Sequence, residues 1–502
     1  METIAIAKTY LSTKKYVLPS GRLLLAFFNN DFYSYEINHW RRIDEKDIQN
    51  DLINLIQNES IKVSDKFSFS HIESCIRILE ALVTVKDFKF GSFINHVTPP
   101  NTHLIPVQNG ILKVTSNLGE LDVSLSNHTP DFIAPYALPY DYDSSKECPE
   151  WLKFLTEILS PDQIILLQEW FGYQLVPVTF AQKFMMFNGA GANGKSVVCL
   201  VLRLMLGEEN VSSVSLQGFL SGDRFSLSAT KDKLANIVPE IDELKTFPTG
   251  RIKSFTAGEP FTVEQKFKDS YLITPTARLT FATNTLPPFR DKSDGLKRRM
   301  LLLNFMIQIM DESKQDKRLV DEKYWLGLGE LSGILNWSLE GLRRLMLNSW
   351  KFTISSTIMS AIDDYNKELN PIEGFLDEYV QLDGRGQYHT QVLYTQYVEY
   401  CRRQGLVADN NIVFGRAVGR HFKGIIRQSK HWKVENGLNA RVWLGICPKR
   451  HRPWDITSDE LRHLDSITQI TQIAQIEEDK LISEKKLLSD DSKGGIYESS
   501  IS

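Results

Sequence analysis

The residues best able to do chemistry lie near the middle of the chain, in FNGAGANGKSVV, residues 187–198. Gly189, Gly194, Lys195 and Ser196 follow the order glycine, any four residues, glycine, lysine, serine. Glycines let a backbone wrap an anion with its N–H groups turned inward, and a helix starting at the lysine adds the partial positive charge of its N-terminus. The run Gly189, Ala190, Gly191, Ala192, Asn193, Gly194, Lys195, Ser196 and Val197 is therefore a candidate cradle for the phosphates of a nucleoside triphosphate. Lys195 would reach the β- and γ-phosphates, and the Ser196 hydroxyl would ligate Mg²⁺.

Hydrolysis needs more groups, and the chain offers them downstream. In LANIVPEIDEL, Glu240 and Asp242 follow an apolar run and could orient the attacking water and hold the metal. ARLTFATN ends in Thr283-Asn284, whose Asn284 amide could hold the lytic water. DGLKRRMLLLNF sets Arg298 and Arg299 before another apolar run. An arginine in that role neutralises charge that builds on the transferred phosphoryl group.

These groups can meet only if the elements between them deliver them to one place. AQKFMMFN reads as a strand and SVVCLVLRLML as a helix stopped by Gly207, with further strands in VSSVSL, LANIV and ARLTFAT. Upstream, WLKFLTEILSPDQIILLQEWFGYQL gives two helices broken at Pro161. Strands alternating with helices predict an α/β fold with a mainly parallel sheet, whose strand ends share one edge.

Four regions follow. Residues 1–145 are α+β, with paired strands in RLLLAFFNNDFYSYEINHWRRI, a helix in HIESCIRILEALV and a proline-rich connector at their end. Residues 146–355 hold the α/β sheet. Residues 365–453 carry helices in FLDEYV, in TQVLYTQYVEYCRRQG (apolar face Leu393, Tyr394, Tyr397, Val398, Cys401) and in NIVFGRAVGRHFKGI (Phe414, Val418, His421, Phe422). A hairpin about Asn436-Gly437 completes a C-terminal winged helix, and ten Lys or Arg against the single Glu435 between Asn411 and Pro453 favour DNA as its partner. Residues 454–502 read as an acidic, disordered tail.

Composition narrows the class. A chain of 502 residues has room for about two to four domains, and 42% hydrophobic with 24% charged residues is ordinary for globular proteins. A net charge of −4 excludes a globally basic binder of nucleic acid, so any such role is local. The five cysteines (Cys75, Cys148, Cys199, Cys401, Cys447) form no C-x-x-C pair, against a disulfide framework or zinc site and for a reducing interior. METIAIAKTYL lacks the pattern of a signal peptide, and no apolar run approaches about 18 residues. The expectation is a cytoplasmic protein with no membrane partner.

In order, NGAGANGKS, PEIDE, SFTAGEPFTVEQKFKD, FATNTLPP and SDGLKRRM resemble the motifs of a superfamily 3 helicase. The match is best to the phage and plasmid primase–helicase family related to the poxvirus primase-helicase. It extends through PVQNGILKV, PYDYDSSKECPEWLKFL and QEWFGYQL upstream and into the basic segment downstream, over residues 70–450. The resemblance implies an AAA+-like ATPase using ATP and Mg²⁺, assembled as a ring, usually a homo-hexamer, that pulls single-stranded DNA through its centre. Arg298 or Arg299 would then act on the site of the neighbouring subunit. The family's DNA-contacting hairpin falls on VEQKFKDSY, which makes Lys266, Phe267 and Lys268 the candidate DNA contacts. Phosphate contact by lysine beside an aromatic ring suits strand tracking without sequence readout.

Two departures matter. Many relatives have an acidic residue or serine directly before the glutamate, where this chain has Pro239. Metal coordination would then rest on Ser196, Glu240 and water. Longer relatives also carry a primase domain, but residues 1–145 offer no convincing carboxylate pair, so primer synthesis would need a separate primase. The leading expectation is a replicative DNA helicase of a phage, plasmid or other mobile element, acting on single-stranded and forked DNA with a primase or origin-binding protein as partner. The alternative is an ATP-regulated origin-binding or assembly protein that does not unwind. A signalling GTPase lacks the N-K-x-D base-reading motif.

Overall fold

The computed structural model describes residues 2–13, 16–58, 68–86, 90–94, 97–117, 120–220, 225–241, 247–264, 270–287, 294–309, 311, 315–369, 371–422, 427–433 and 439–449. The chain divides into two compact units between Asp363 and Asp364. Asp242, Lys266, Phe267, Lys268, the Asn436-Gly437 turn and the 454–502 tail lie outside the described residues.

The first unit is built on strands buried on both faces. Phe184–Asn188, Ala235–Val238, Arg278–Thr283 and Met300–Asn304 are buried almost throughout. Such strands need cover on both faces, which parallel crossovers provide. They form a five-stranded parallel sheet in the order Val211–Ser212, Ala235–Val238, Arg278–Thr283, Phe184–Asn188, Met300–Asn304. The register levels the strand ends. Thr283 and Asn304 both pair with Asn188, and Val238 pairs with Phe281, so the residues after Val238, Thr283 and Asn188 emerge side by side. The run VSSVSL forms a strand only at Val211–Ser212. Beyond it, Val214 N–H donates to Asn236 Oδ1 at 2.7 Å and Ser213 Oγ to Ile237 O at 2.7 Å, so side chains replace the ladder.

The helices expected around Pro161 are Pro149–Ile158 and Pro161–Gln174. The second packs on Leu331–Leu347 through Gly341, whose absent Cβ would lie 2.0 Å from Gln168 O. Residues 1–145 belong to the same compact unit. The predicted strands form an antiparallel meander of Leu25–Phe28, Asp31–Glu36 and His39–Ile43, and the predicted helix is Phe69–Val83. The meander meets the sheet through a buried ionic cluster. Lys231 pairs with Asp31, Tyr33 Oη donates to Asp232, Arg42 Nε lies 3.0 Å from Asp31, and Lys231 sits 4.8 Å above the Tyr271 ring.

In the second unit the order is helix Pro371–Tyr379, strand Val380–His389, helices Thr390–Arg403 and Asn411–His421, and strands Arg427–Lys433 and Asn439–Pro448. The three strands make one antiparallel sheet with Asn439–Pro448 in the middle, one strand more than the expected hairpin. Leu393, Tyr397, Cys401, Phe414, Val418 and Phe422 are buried as their spacing predicts. Val398 is exposed instead, because Tyr400 takes the core face, and His421 is half-buried with Nε2 3.3 Å from Asp377. Among the described residues no helix is long and apolar enough to cross a membrane.

Candidate functional site

The strand Phe184–Asn188 ends at the glycine-rich loop, and the helix Lys195–Leu206 begins there, with Gly194 at its N-cap at φ +86°. A side chain at Gly194 would collide with Ile158 and Phe154 at 2.8 and 3.0 Å, so the preceding helix floors the loop. Gly189 N–H donates to Thr283 O at 3.3 Å, which fastens the loop to the neighbouring strand. On the other side Ile309 N–H donates to Ala192 O at 2.9 Å.

Lys195 sits at the centre of this arrangement and is buried. Its Nζ donates to Gly189 O at 2.6 Å, to Asn193 Oδ1 at 3.0 Å and to Asn284 Oδ1 at 3.1 Å. Burial lowers its pKa from the ordinary lysine value, against the upward pull of Glu240. Cys199 is pushed up to about 12 by burial and stays a thiol.

A pocket of about 340 Å³ opens over the loop. It is lined by Gly191 to Val197, Pro239, Glu240, Thr283 and Asn284, by Phe154, Ile309, Leu319 and Val320, and by Gln315, Asp316 and Lys317. Its volume is in the range of small-molecule sites. The lining offers the helix N-terminus, an ammonium, a hydroxyl, a carboxylate and an amide, which suits a polyanion. Phe154, Leu319 and Val320 add apolar surface to the same lining. The exposed Ser196 hydroxyl and Glu240 form an oxygen pair in the same pocket, a donor set that fits Mg²⁺ completed by phosphate and water.

Of the residues singled out in the sequence, the structure brings Lys195, Ser196, Glu240 and Asn284 together. It does not bring Arg298 and Arg299 to this pocket. They precede the strand Met300–Asn304 and so lie at the opposite edge of the sheet. Arg299 is buried, its guanidinium donating to Gly295 O at 2.9 Å and Gln182 Oε1 at 3.2 Å, whereas Arg298 is exposed. Lys183 joins them by donating to Arg298 O at 2.5 Å, a third cation that the sequence reasoning missed. Also missed were Phe154 and the segment Gln315, Asp316, Lys317, Leu319 and Val320. Asp316 faces Arg318 at 2.7 Å, which holds its carboxyl below the usual range.

Against known proteins, residues 28–160 match the family described as "D5 N terminal like", and residues 187–299 match a "Family of unknown function (DUF5906)". The second match runs from Phe187 to Arg299, from the phosphate loop to the paired arginines. A protein of Acanthamoeba polyphaga mimivirus named "Putative helicase L207/L206" is 22% identical over 304 residues, covering 56% of this chain and 31% of the viral protein. "Putative helicase 184R" of Invertebrate iridescent virus 6 is 22% identical over 349 residues, covering 62% and 34%. The chain therefore spans about a third of the length of these relatives. In fold it is similar to the apo C-terminal region of NrS-1, with a TM-score of 0.51 at 13% identity over 89% of this chain and 99% of that one.

The fold and loop define a mixed α/β protein with a P-loop-like parallel sheet. More specifically, these likenesses support a phage and viral primase–helicase-like family.

Proposed function

We propose that this chain is the ATPase engine of a DNA helicase, superfamily 3 and AAA+-like, that works as a ring on single-stranded DNA. One observation carries the reading: Lys195, Ser196, Glu240 and Asn284, from three adjacent strand ends, share one pocket. In this reading the loop N–H groups and Lys195 hold the β- and γ-phosphates of ATP. Ser196 and Glu240 hold Mg²⁺, which when bound neutralises phosphate charge. Glu240 orients the attacking water, with Asp242 as a helper, and Asn284 holds that water against the γ-phosphate.

Arg298 is the better candidate to reach a neighbouring subunit, since it is exposed and stands beside Lys183 at the edge away from its own pocket, while Arg299 is tied to Gln182 and Gly295. Lys266, Phe267 and Lys268 track the single strand. In the second unit, the order helix, strand, helix, helix, strand, strand supports a winged helix, with exposed Arg416 and Arg420 one turn apart on Asn411–His421. Two cations so placed suit duplex phosphates.

The test is steady-state ATP hydrolysis with and without single-stranded DNA. The reading predicts turnover that the DNA raises and that Lys195→Ala abolishes while the melting curve is kept. Undiminished turnover in Lys195→Ala would overturn the site.

A further inference from the structure

The glycine-loop pattern leaves position 193 unspecified, yet its side chain is among the most constrained in the loop. Asn193 is only 2% exposed. Its Nδ2 donates to Phe305 O at 3.2 Å, and its Oδ1 accepts from Lys195 Nζ at 3.0 Å. Phe305 is fixed in turn, since its N–H donates to Asn188 O at 2.7 Å and its ring meets Phe187 edge-on at 5.5 Å. A continuous run of bonds thus joins the exit of the strand Met300–Asn304 to the Lys195 ammonium. The amide also explains its neighbour. A Cβ at Gly189 would lie 2.1 Å from Asn193 Nδ2, so the first glycine makes room for this side chain as well as for an anion.

We infer that Asn193 is a positioning residue for Lys195, aiming its ammonium at the phosphates by holding it against the neighbouring strand. The inference rests on the reading of the pocket as a nucleoside-triphosphate site. Its chemistry is specific. The position must donate to a carbonyl and accept from an ammonium at the same time, which a short side-chain amide does. Alanine loses both bonds. Aspartate keeps the acceptor but sets a carboxylate against Phe305 O and binds Lys195 in competition with phosphate.

The experiment is a double-mutant cycle on ATP affinity, using the full chain, Asn193→Ala, Lys195→Ala and the double variant, with melting curves for each. Asn193→Ala is expected to weaken ATP binding about tenfold in the parent and to have no further effect once Lys195 is gone. Asn193→Asp, which keeps the volume of the side chain, is expected to weaken binding at least as far. Losses from Asn193→Ala that are equal with and without Lys195 would show a general structural role and overturn the assignment, as would unchanged binding by a folded Asn193→Asp. A parent chain without ATP affinity would instead overturn the pocket reading itself, and this assignment with it.

Discussion

Replacing Asn284 by alanine should move affinity and turnover in opposite directions. The Lys195 ammonium has three N–H bonds, and all three are engaged, with Gly189 O, Asn193 Oδ1 and Asn284 Oδ1. A phosphate oxygen can bind Lys195 only by displacing one of them. Gly189 and Asn193 are held within the loop, whereas Asn284 is exposed at a strand end and can turn into water. A hydrogen bond to a charged donor contributes about 1.5–3 kcal/mol, but a released exposed amide is rehydrated, leaving a net effect of about 0.5–1 kcal/mol. Asn284→Ala removes the competitor, so ATP should bind about two- to fivefold tighter. The same change removes the amide that holds the water, and losing one preorganised polar group at a transition state typically lowers kcat by about 10²–10³. Equilibrium binding of ATP and steady-state hydrolysis on the same preparation read both numbers. Weaker ATP binding by Asn284→Ala would refute the reasoning, because it would mean that Asn284 contacts the bound phosphates and does not compete with them.

Other outcomes follow from the same geometry. Gly189→Ala should melt lower by about 1–3 kcal/mol and lose ATP binding, because its Cβ would lie 2.7 Å from the Phe305 carbonyl, whereas Gly250→Ala, on a helix with open space around it, should gain about 0.4–1 kcal/mol; thermal melts of the pair check this. Burial raises the Asp232 carboxyl above its ordinary value, so the stability it contributes is complete below its unfolded pKa and is lost as pH rises through the folded one. Asp232→Asn, which suits φ +62° and can still accept from Tyr33, should therefore gain on the parent as pH rises above the ordinary carboxylate range in denaturant titrations. Arg416→Glu with Arg420→Glu should weaken duplex binding and reduce the slope of log K against log salt by about 2, measured by fluorescence anisotropy.

Much of the site was legible in the sequence for a physical reason. Strands buried on both faces tend to be continuous apolar runs, and FMMF and MLLL are such runs, each followed by the asparagine that the sheet edge presents, while ANIV is broken only by the buried Asn236. Parallel topology then forces Glu240 and Asn284 to the glycine loop without any knowledge of side-chain contacts. What stayed hidden depends on pairs distant in the chain. The segment carrying Gln315 to Val320 is a charged run without periodicity, and it reaches the pocket beside Ile309, whose N–H bonds to Ala192. Asp31 and Lys231 stand 200 positions apart, and neither has a local pattern that announces the other. The strand Val380–His389 escaped notice because it is polar and mostly exposed, buried only near its ends.

The most direct test of the account is ATP-dependent unwinding of a forked duplex, with particle mass measured on the same sample. The account predicts strand displacement that requires ATP, a mass of several copies of the 57.5 kDa chain, and no displacement by Lys195→Ala. A multimer that binds DNA and hydrolyses ATP yet leaves the fork paired would contradict it and favour an assembly role, and an active monomer would contradict the ring.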